Sequence, residues 1–212
     1  MDAEFWHARW SEKNIGFHNA EVNPLLRRYF SALALPEGSR IFLPLCGKSR
    51  DIAWLLAHGY RVAGAELSEI AVNELFDELG VISNRSETGE LRHYRAAGLD
   101  IFQGDIFALD REILGAVDAI YDRAALVALP EPMRARYSQH LIQMSDAAPQ
   151  LLINYDYDQS RMPGPPFSVS DDELRMHYEG RYTLNALYNE DLEGGLKGQC
   201  PAREKVWLLQ KA

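Results

Sequence analysis

Glu66 stands about 20 residues beyond the turn Cys46-Gly47-Lys48, the offset at which a carboxylate closing one strand can accept hydrogen bonds from a ribose. The residues around it spell strand, tight turn, helix and strand. Ile41, Phe42, Leu43 and Leu45 make a short apolar run that stops at the turn. Asp51 to His58 repeats apolar residues at helical spacing through Ile52, Ala53, Leu55 and Leu56, and Gly59 ends it. Arg61 to Leu67 is a second apolar strand. Parallel strands joined by a crossover helix hold their ligands at the strands' carboxyl ends, so this unit predicts a nucleoside-bearing cofactor. A full G-x-G-x-x-G is absent, and a turn with one glycine is a poor match to a pyrophosphate. S-adenosyl-L-methionine, with an adenosine and no phosphate, fits better. The plain alternatives are a tight βα turn at Gly47 and a strand-end surface carboxylate at Glu66.

Other residues could complete such a site. Asp105 and Ile106 end a third strand, where an adenine needs one polar acceptor and an apolar wall; Ile106 alone reads equally well as core. Trp6 and Trp10 are four apart and share one face of an N-terminal helix. An indole face attracts a cation such as a sulfonium by about 0.5–2 kcal/mol, although the helix could simply be docked on the core. Arg123 follows Asp122 at the end of a fourth strand. It could pair with a cofactor carboxylate or an anionic acceptor, or form a salt bridge with Asp122 or Asp156. His7, His58, His93, His140 and His177 are scattered, and no pair has metal-ligand spacing. Cys46 reads as a small buried hydrophobe.

The elements that must position these residues alternate almost end to end. Helices are predicted at Asn23 to Ala34, Glu69 to Leu79 with Ser68 as its cap, Pro132 to Ser145, and Asp171 to Tyr178. Further strands are predicted at Asp100 to Gly104, Val117 to Tyr121 and Leu151 to Tyr155. Tyr182 to Tyr188 and Lys205 to Gln210 make a late hairpin around Asn189 to Arg203, a polar, Gly-rich segment expected to be a mobile loop. Ser83 to Ala97 is charged and reads as a surface excursion. Arg161 to Phe167 is too rich in proline for regular structure.

The whole sequence of 212 residues, 47% hydrophobic and 25% charged, suits one α/β domain. A net charge of −9 disfavours nucleic acid and leaves a small molecule as the expected partner. No apolar run approaches the roughly 20 residues that cross a bilayer. With two cysteines and no basic-then-apolar leader, a cytoplasmic protein is expected. No apolar helix face argues for a dimer, so a monomer is expected.

The chain resembles the bacterial thiopurine S-methyltransferases. The matching stretches are Phe5-Trp6-His7-Ala8-Arg9-Trp10, Ile15-Gly16-Phe17-His18 and Phe42-Leu43-Pro44-Leu45-Cys46-Gly47-Lys48-Ser49. They continue through Gly64-Ala65-Glu66-Leu67-Ser68-Glu69, Gly104-Asp105-Ile106-Phe107, Tyr121-Asp122-Arg123-Ala124-Ala125-Leu126 and Pro163-Gly164-Pro165-Pro166-Phe167. The resemblance implies a Rossmann-like class I methyltransferase fold. That fold is α/β, with a mostly parallel seven-stranded sheet, helices on both faces and an antiparallel C-terminal hairpin. Residues 1–35 would be a helical lid and 40–212 the sheet core of a single domain. It further implies that Trp6, Trp10, Leu45, Glu66, Asp105, Ile106 and Arg123 bind S-adenosyl-L-methionine. Phe17 and His18 would then face a small thiol acceptor, with Arg123 also acting on it. Methyl transfer from a sulfonium is an in-line displacement in which holding sulfur and carbon about 3–3.5 Å apart is the main task. A thiol with a pKa near 8.5 needs no dedicated base. The family usually places arginines in the loop before the last strand, where this chain offers only Lys197 and Arg203. Selenium or tellurium species, halide or thiocyanate therefore remain alternative acceptors. Two further alternatives are a dehydrogenase and a nucleoside-binding module without chemistry.

Overall fold

The computed structural model describes residues 3–212, which fall into two compact units that divide after Ala119. The first opens with helix α1 (Ala3–Ser11) and α2 (Pro24–Tyr29), then a 3-10 turn at Phe30–Leu33. Strand β1 (Arg40–Leu43), α3 (Arg50–Ala57), β2 (Arg61–Glu66) and α4 (Glu69–Leu79) follow as expected. Next come β3 (Asn84–Thr88), β4 (Leu91–Ala96), β5 (Leu99–Gln103), a 3-10 turn at Ile106–Ala108 and α5 (Arg111–Leu114). The strands lie in the order β3-β4-β5-β2-β1, with β1, β2 and β5 mutually parallel.

Local chemistry explains these boundaries. Ser49 and Ser68 cap α3 and α4 by accepting from the backbone N–H groups of Asp51 and Ala71, and Gly80 ends α4 at φ 67°. Ile52 and Leu55 on α3, and Val72, Leu75 and Phe76 on α4, are buried, as are Ile41 and Phe42 of β1 and Val62 and Ala63 of β2. Strands this apolar along their length suit a parallel sheet covered on both sides. Asn23 accepts from Leu25 and Leu26 to start α2, while its own N–H donates to buried Asp51 at 2.8 Å.

The second unit contains β6 (Ala119–Arg123), a 3-10 turn at Leu126–Ala128, α6 (Glu131–Ser145), β7 (Gln150–Tyr157), α7 (Asp171–Tyr178), β8 (Tyr182–Asp191) and β9 (Ala202–Lys211). Its strand order is β6-β7-β9-β8: β6 and β7 are parallel, and β9 runs antiparallel to both β7 and β8. The expected C-terminal hairpin is therefore present, longer than its hydrophobic alternation suggested.

Three expectations are corrected. The stretch Ser83 to Ala97 is a β-hairpin, β3 and β4, added antiparallel to β5, so nine strands are described where seven were expected. Leu91 and Tyr94 of β4 are buried, whereas β3 is exposed along nearly its whole length, and its charged residues suit an unpaired edge. The fourth strand begins at Ala119 instead of Val117 because Asp118 is occupied as a brace: its carboxylate accepts from the Arg40 N–H at 2.7 Å. The segment between β8 and β9 is packed. Leu196 and Cys200 bridge to one another and are buried with Tyr157, Met162 and Ala202.

Candidate active site

The carboxyl ends of β1, β2 and β5 lie side by side, and the turn after β1 is held in an unusual shape. Leu45 (φ 46°) and Gly47 (φ 53°) both adopt left-handed backbone. For a non-glycine this costs about 1–3 kcal/mol, a strain found most often at ligand sites. The Cys46 N–H donates to Ala65 at 2.9 Å, extending the β1–β2 ladder into the turn. Gly64 is required opposite it, since a Cβ there would lie 2.8 Å from the Cys46 Sγ. Burial, with the charge of Glu66 behind it, pushes the Cys46 thiol well above its ordinary pKa. Cys46 thus acts as a neutral packing group.

Glu66 closes β2 with 6% of its surface exposed. Its two oxygens accept from different backbone amides: Oε2 from Gly47 at 2.8 Å and Oε1 from Ser68 at 2.8 Å. Burial raises its pKa, and the N–H groups of Ser68, Gly47 and Leu67 pull it part of the way back. A carboxylate offers about four lone-pair sites. The backbone bonds thus leave acceptor capacity for hydroxyl donors while fixing the group's orientation.

The third strand end joins the same edge. Glu66 pairs with Gln103, whose side chain donates to the Leu67 carbonyl at 2.9 Å, and the Gly104 N–H donates to the Glu66 carbonyl at 2.9 Å. Gly104 is needed at φ 140°, where a Cβ would fall 2.6 Å from Leu91. Beyond it the exposed Asp105 caps the 3-10 turn through Phe107 N–H at 3.0 Å, and Ile106 is buried. An exposed acceptor and an apolar neighbour are thus placed next to Glu66.

The aromatic N-terminal segment covers the turn. Trp10 is buried, and its ring carbon Cζ2 lies 3.2 Å from where a Cβ on Gly47 would stand. Phe17 meets both indoles edge-on, at 5.5 Å from Trp6 and 5.6 Å from Trp10. Trp6, Phe17 and His18 are half-buried. His18 lies close enough to Glu78 for its charge to act there. Burial alone would raise Glu78, but the bond and charge of Lys48, with Arg50 and His18, hold it below the ordinary range. Lys48 of the turn reaches Glu74 and Glu78, each at 2.8 Å, so its charge is committed to α4.

In the second unit Arg123 ends β6 and is followed by Ala124 at φ 63°, another left-handed non-glycine residue. Neither carboxylate proposed as its structural partner is idle. Asp122 is fully buried and accepts from the Tyr137 hydroxyl at 2.7 Å and the Leu126 N–H at 3.1 Å. Burial pushes Asp122 up to about 6. Asp156 pairs with Lys205 at 2.7 Å. The Arg123 charge acts on Tyr155 and Glu204, two residues that sequence reasoning missed because they sit inside otherwise ordinary strands. Of the loop cations, Lys197 donates to the Pro165 carbonyl at 2.7 Å, and Arg203 to the Asn189 carbonyl at 3.0 Å.

A sequence profile of the family described as thiopurine S-methyltransferase matches residues 1–212. The chain belongs to the thiopurine S-methyltransferase family. The thiopurine S-methyltransferase of Xanthobacter autotrophicus is 56% identical over 213 residues, spanning 100% of both chains. That of Gluconobacter oxydans is 48% identical over 206 residues, covering 97% of this chain and 94% of the relative. Among solved structures, the 1,6-didemethyltoxoflavin-N1-methyltransferase of Burkholderia thailandensis, with bound 1,6-didemethyltoxoflavin and S-adenosylhomocysteine, superposes with a TM-score of 0.66. The two are 13% identical, and the match covers 99% of this chain and 87% of that one. A TehB-like SAM-dependent methyltransferase from Corynebacterium glutamicum gives a TM-score of 0.58 at 16% identity, covering 99% and 98%. At such identities the structures establish the fold alone, the Rossmann-like α/β fold of SAM-dependent methyltransferases. Within this thiopurine S-methyltransferase family member, Glu66 fits the cofactor: it is an oriented acceptor-only carboxylate at the end of the second parallel strand, beside an aromatic-covered turn.

Proposed function

We propose that this chain transfers the methyl group of S-adenosyl-L-methionine to the sulfur of thiopurines and related small heterocyclic thiols. The observation that carries the reading is the buried Glu66 carboxylate, fixed by two strand-end amides under a turn roofed by Trp10. When bound, the cofactor supplies an electrophilic methyl carbon on a sulfonium. Glu66 accepts from the ribose hydroxyls, a charge-assisted arrangement stronger than neutral hydrogen bonds. Asp105 and Ile106 receive the adenine, and Leu45 presents the backbone of the turn to the cofactor. Trp6 and Trp10, carried by the lid segment 1–35, set indole faces toward the positive sulfur and exclude water. Phe17 and His18 line the acceptor side.

Arg123 holds the cofactor carboxylate or the acceptor anion. With the cofactor held by Glu66, Trp10 and Asp105, its methyl carbon would be available to an acceptor thiolate, and the products would be a neutral thioether and the neutral demethylated cofactor. The acceptor proton leaves to solvent beforehand. A fixed guanidinium near the sulfur favours the thiolate without supplying a base. We further assign the protein to the cytoplasm as a monomer; its cysteines, Cys46 and Cys200, are both free and buried. The test is calorimetric binding of S-adenosylhomocysteine combined with an assay of its production from thiopurine and the methyl donor. Binding with transfer supports the assignment; binding without transfer to any thiol, selenite or tellurite leaves the nucleoside-binding module as the better description.

A further inference from the structure

Glu66 draws its orientation from two places in the chain, and a side chain outside the assignments above ties those places together. Its Oε2 accepts from the Gly47 N–H in the turn after β1, and its Oε1 from the Ser68 N–H at the head of α4, each at 2.8 Å. The carboxylate keeps its aim only while the turn and the head of α4 keep their separation. The α4 end is secure: Ser68 caps the helix, and Val72, Leu75 and Phe76 are buried along it. The turn needs holding. Leu45, at φ 46°, has a left-handed backbone that persists only where surrounding contacts over-determine it.

Lys48, next to Gly47, spans the gap. Its ammonium lies 2.8 Å from Glu74 Oε2 and 2.8 Å from Glu78 Oε1, with 13% of the side chain exposed. Glu74 and Glu78 stand four apart on α4, where two like charges repel unless a cation lies between them. Hydrogen bonds to Glu74 and Glu78 raise the Lys48 pKa and so keep that cation protonated. Arg50 adds a longer contact to Glu78, at 3.4 Å. These links close a ring. It runs from Gly47 to Glu66, from Glu66 to Ser68, along α4 to Glu74 and Glu78, and through Lys48 back to the turn.

We infer that Lys48, clamped between Glu74 and Glu78, is a positioning residue that fixes the Gly47 amide against Glu66 and so presets the carboxylate for a ribose. The role requires no contact between the ammonium and a ligand. Exposed ion pairs contribute little to stability, so the worth of this one is geometric. A binding group performs best when the groups that orient it are themselves locked before the ligand arrives. Trp10 covers Gly47 from the lid side, but a ring contact gives an amide no direction. Without the clamp, Glu66 would be oriented from the α4 end alone, and its second oxygen would lose its fixed place.

This inference rests on the assignment of Glu66 to the ribose, and its test separates the two. In the full-length protein the Gly47 amide proton, bonded to a buried carboxylate, should resonate downfield and exchange slowly. In Lys48→Met it should move upfield and exchange at least about tenfold faster, while the Ser68 amide stays in place. The same variant should raise the Kd for S-adenosylhomocysteine by calorimetry, and the KM for the methyl donor, roughly tenfold, the effect of one misdirected bond to a charged group. The kcat at saturating donor should change little. Lys48→Arg should recover most of the affinity. Glu74→Gln combined with Glu78→Gln should reproduce the Lys48→Met effect, which keeps the clamp testable if Lys48→Met does not fold. A Gly47 amide unmoved in these variants overturns the inference whether or not the protein methylates thiopurines. So does a moved amide with unchanged affinity, or a lowered kcat with an unchanged donor KM. Wild-type protein that binds no S-adenosylhomocysteine refutes the proposed function itself, and the Gly47 signal then decides alone whether Lys48 fixes the turn.

Discussion

Glu66 has a structural task besides the cofactor role proposed for it, and this changes what its removal does. The carboxylate satisfies the N–H groups of Gly47 and Ser68 in a buried setting, so truncation to alanine would orphan both donors as well as remove the proposed ribose acceptor. Glu66→Gln is the more informative variant, because its amide keeps one acceptor oxygen and sets an NH2 against the other donor. It should weaken S-adenosylhomocysteine binding at least about tenfold, since a hydrogen bond to a charged group is worth about 1.5–3 kcal/mol; calorimetry on the folded variant checks this. At Gly47 the turn conformation and Trp10 both exclude a side chain. Gly47→Ala should cost about 1–2 kcal/mol from the left-handed backbone alone, visible as a lowered melting temperature together with weaker cofactor binding. Asp122 makes stability depend on pH. Its folded pKa, near 6, lies above the ordinary 3.8, so the fold prefers the protonated form. Its contribution is greatest in acid and is lost as pH rises through the folded value. Between about pH 5 and about pH 7.5 the wild type should therefore lose about 1 kcal/mol relative to Asp122→Asn. Urea melts at the two pH values measure the difference, and parallel curves would remove Asp122 as its source.

At the scale of elements, the loop between β8 and β9 departs most from its sequence. Glycines at 194, 195 and 198 and several polar residues suggested mobility, yet Leu196 and Cys200 fold inward onto Tyr157 and Met162. Leu196→Ala should cost about 2–5 kcal/mol as a buried truncation, and limited proteolysis should then cut within 192–201 where the wild type resists. Gly195 explains part of the misreading: a Cβ there would fall 2.5 Å from the Cys200 carbonyl, so this glycine serves close packing and not freedom. The β1–α3–β2–α4 unit was legible because apolar runs, serine caps and stop glycines all agree there. The β3–β4 hairpin was not, since an edge strand written as Asn-Arg-Ser-Glu-Thr has no apolar alternation to betray it. The candidate cofactor residues of the first unit could be read from strand ends and motifs. Tyr155 and Glu204 could not, because only the β7–β9 register sets them opposite each other.

For the whole molecule, charge and sulfur chemistry have consequences that no single element shows. A net charge of −9 opposes polyanions, so the protein should pass through heparin at low salt without retention. Retention would point to a basic surface that the overall balance conceals. The sulfhydryl sealed between β1 and β2 has a further meaning for a catalyst of soft nucleophiles. Exchange with small mercaptans requires an accessible thiolate, and Cys46 is 8% exposed and Cys200 3%. Ellman's reagent should leave both untouched until denaturant is added. Such an enzyme can work among reactive sulfur compounds, and through swings in cellular redox balance, without becoming covalently trapped by the molecules it is built to alkylate.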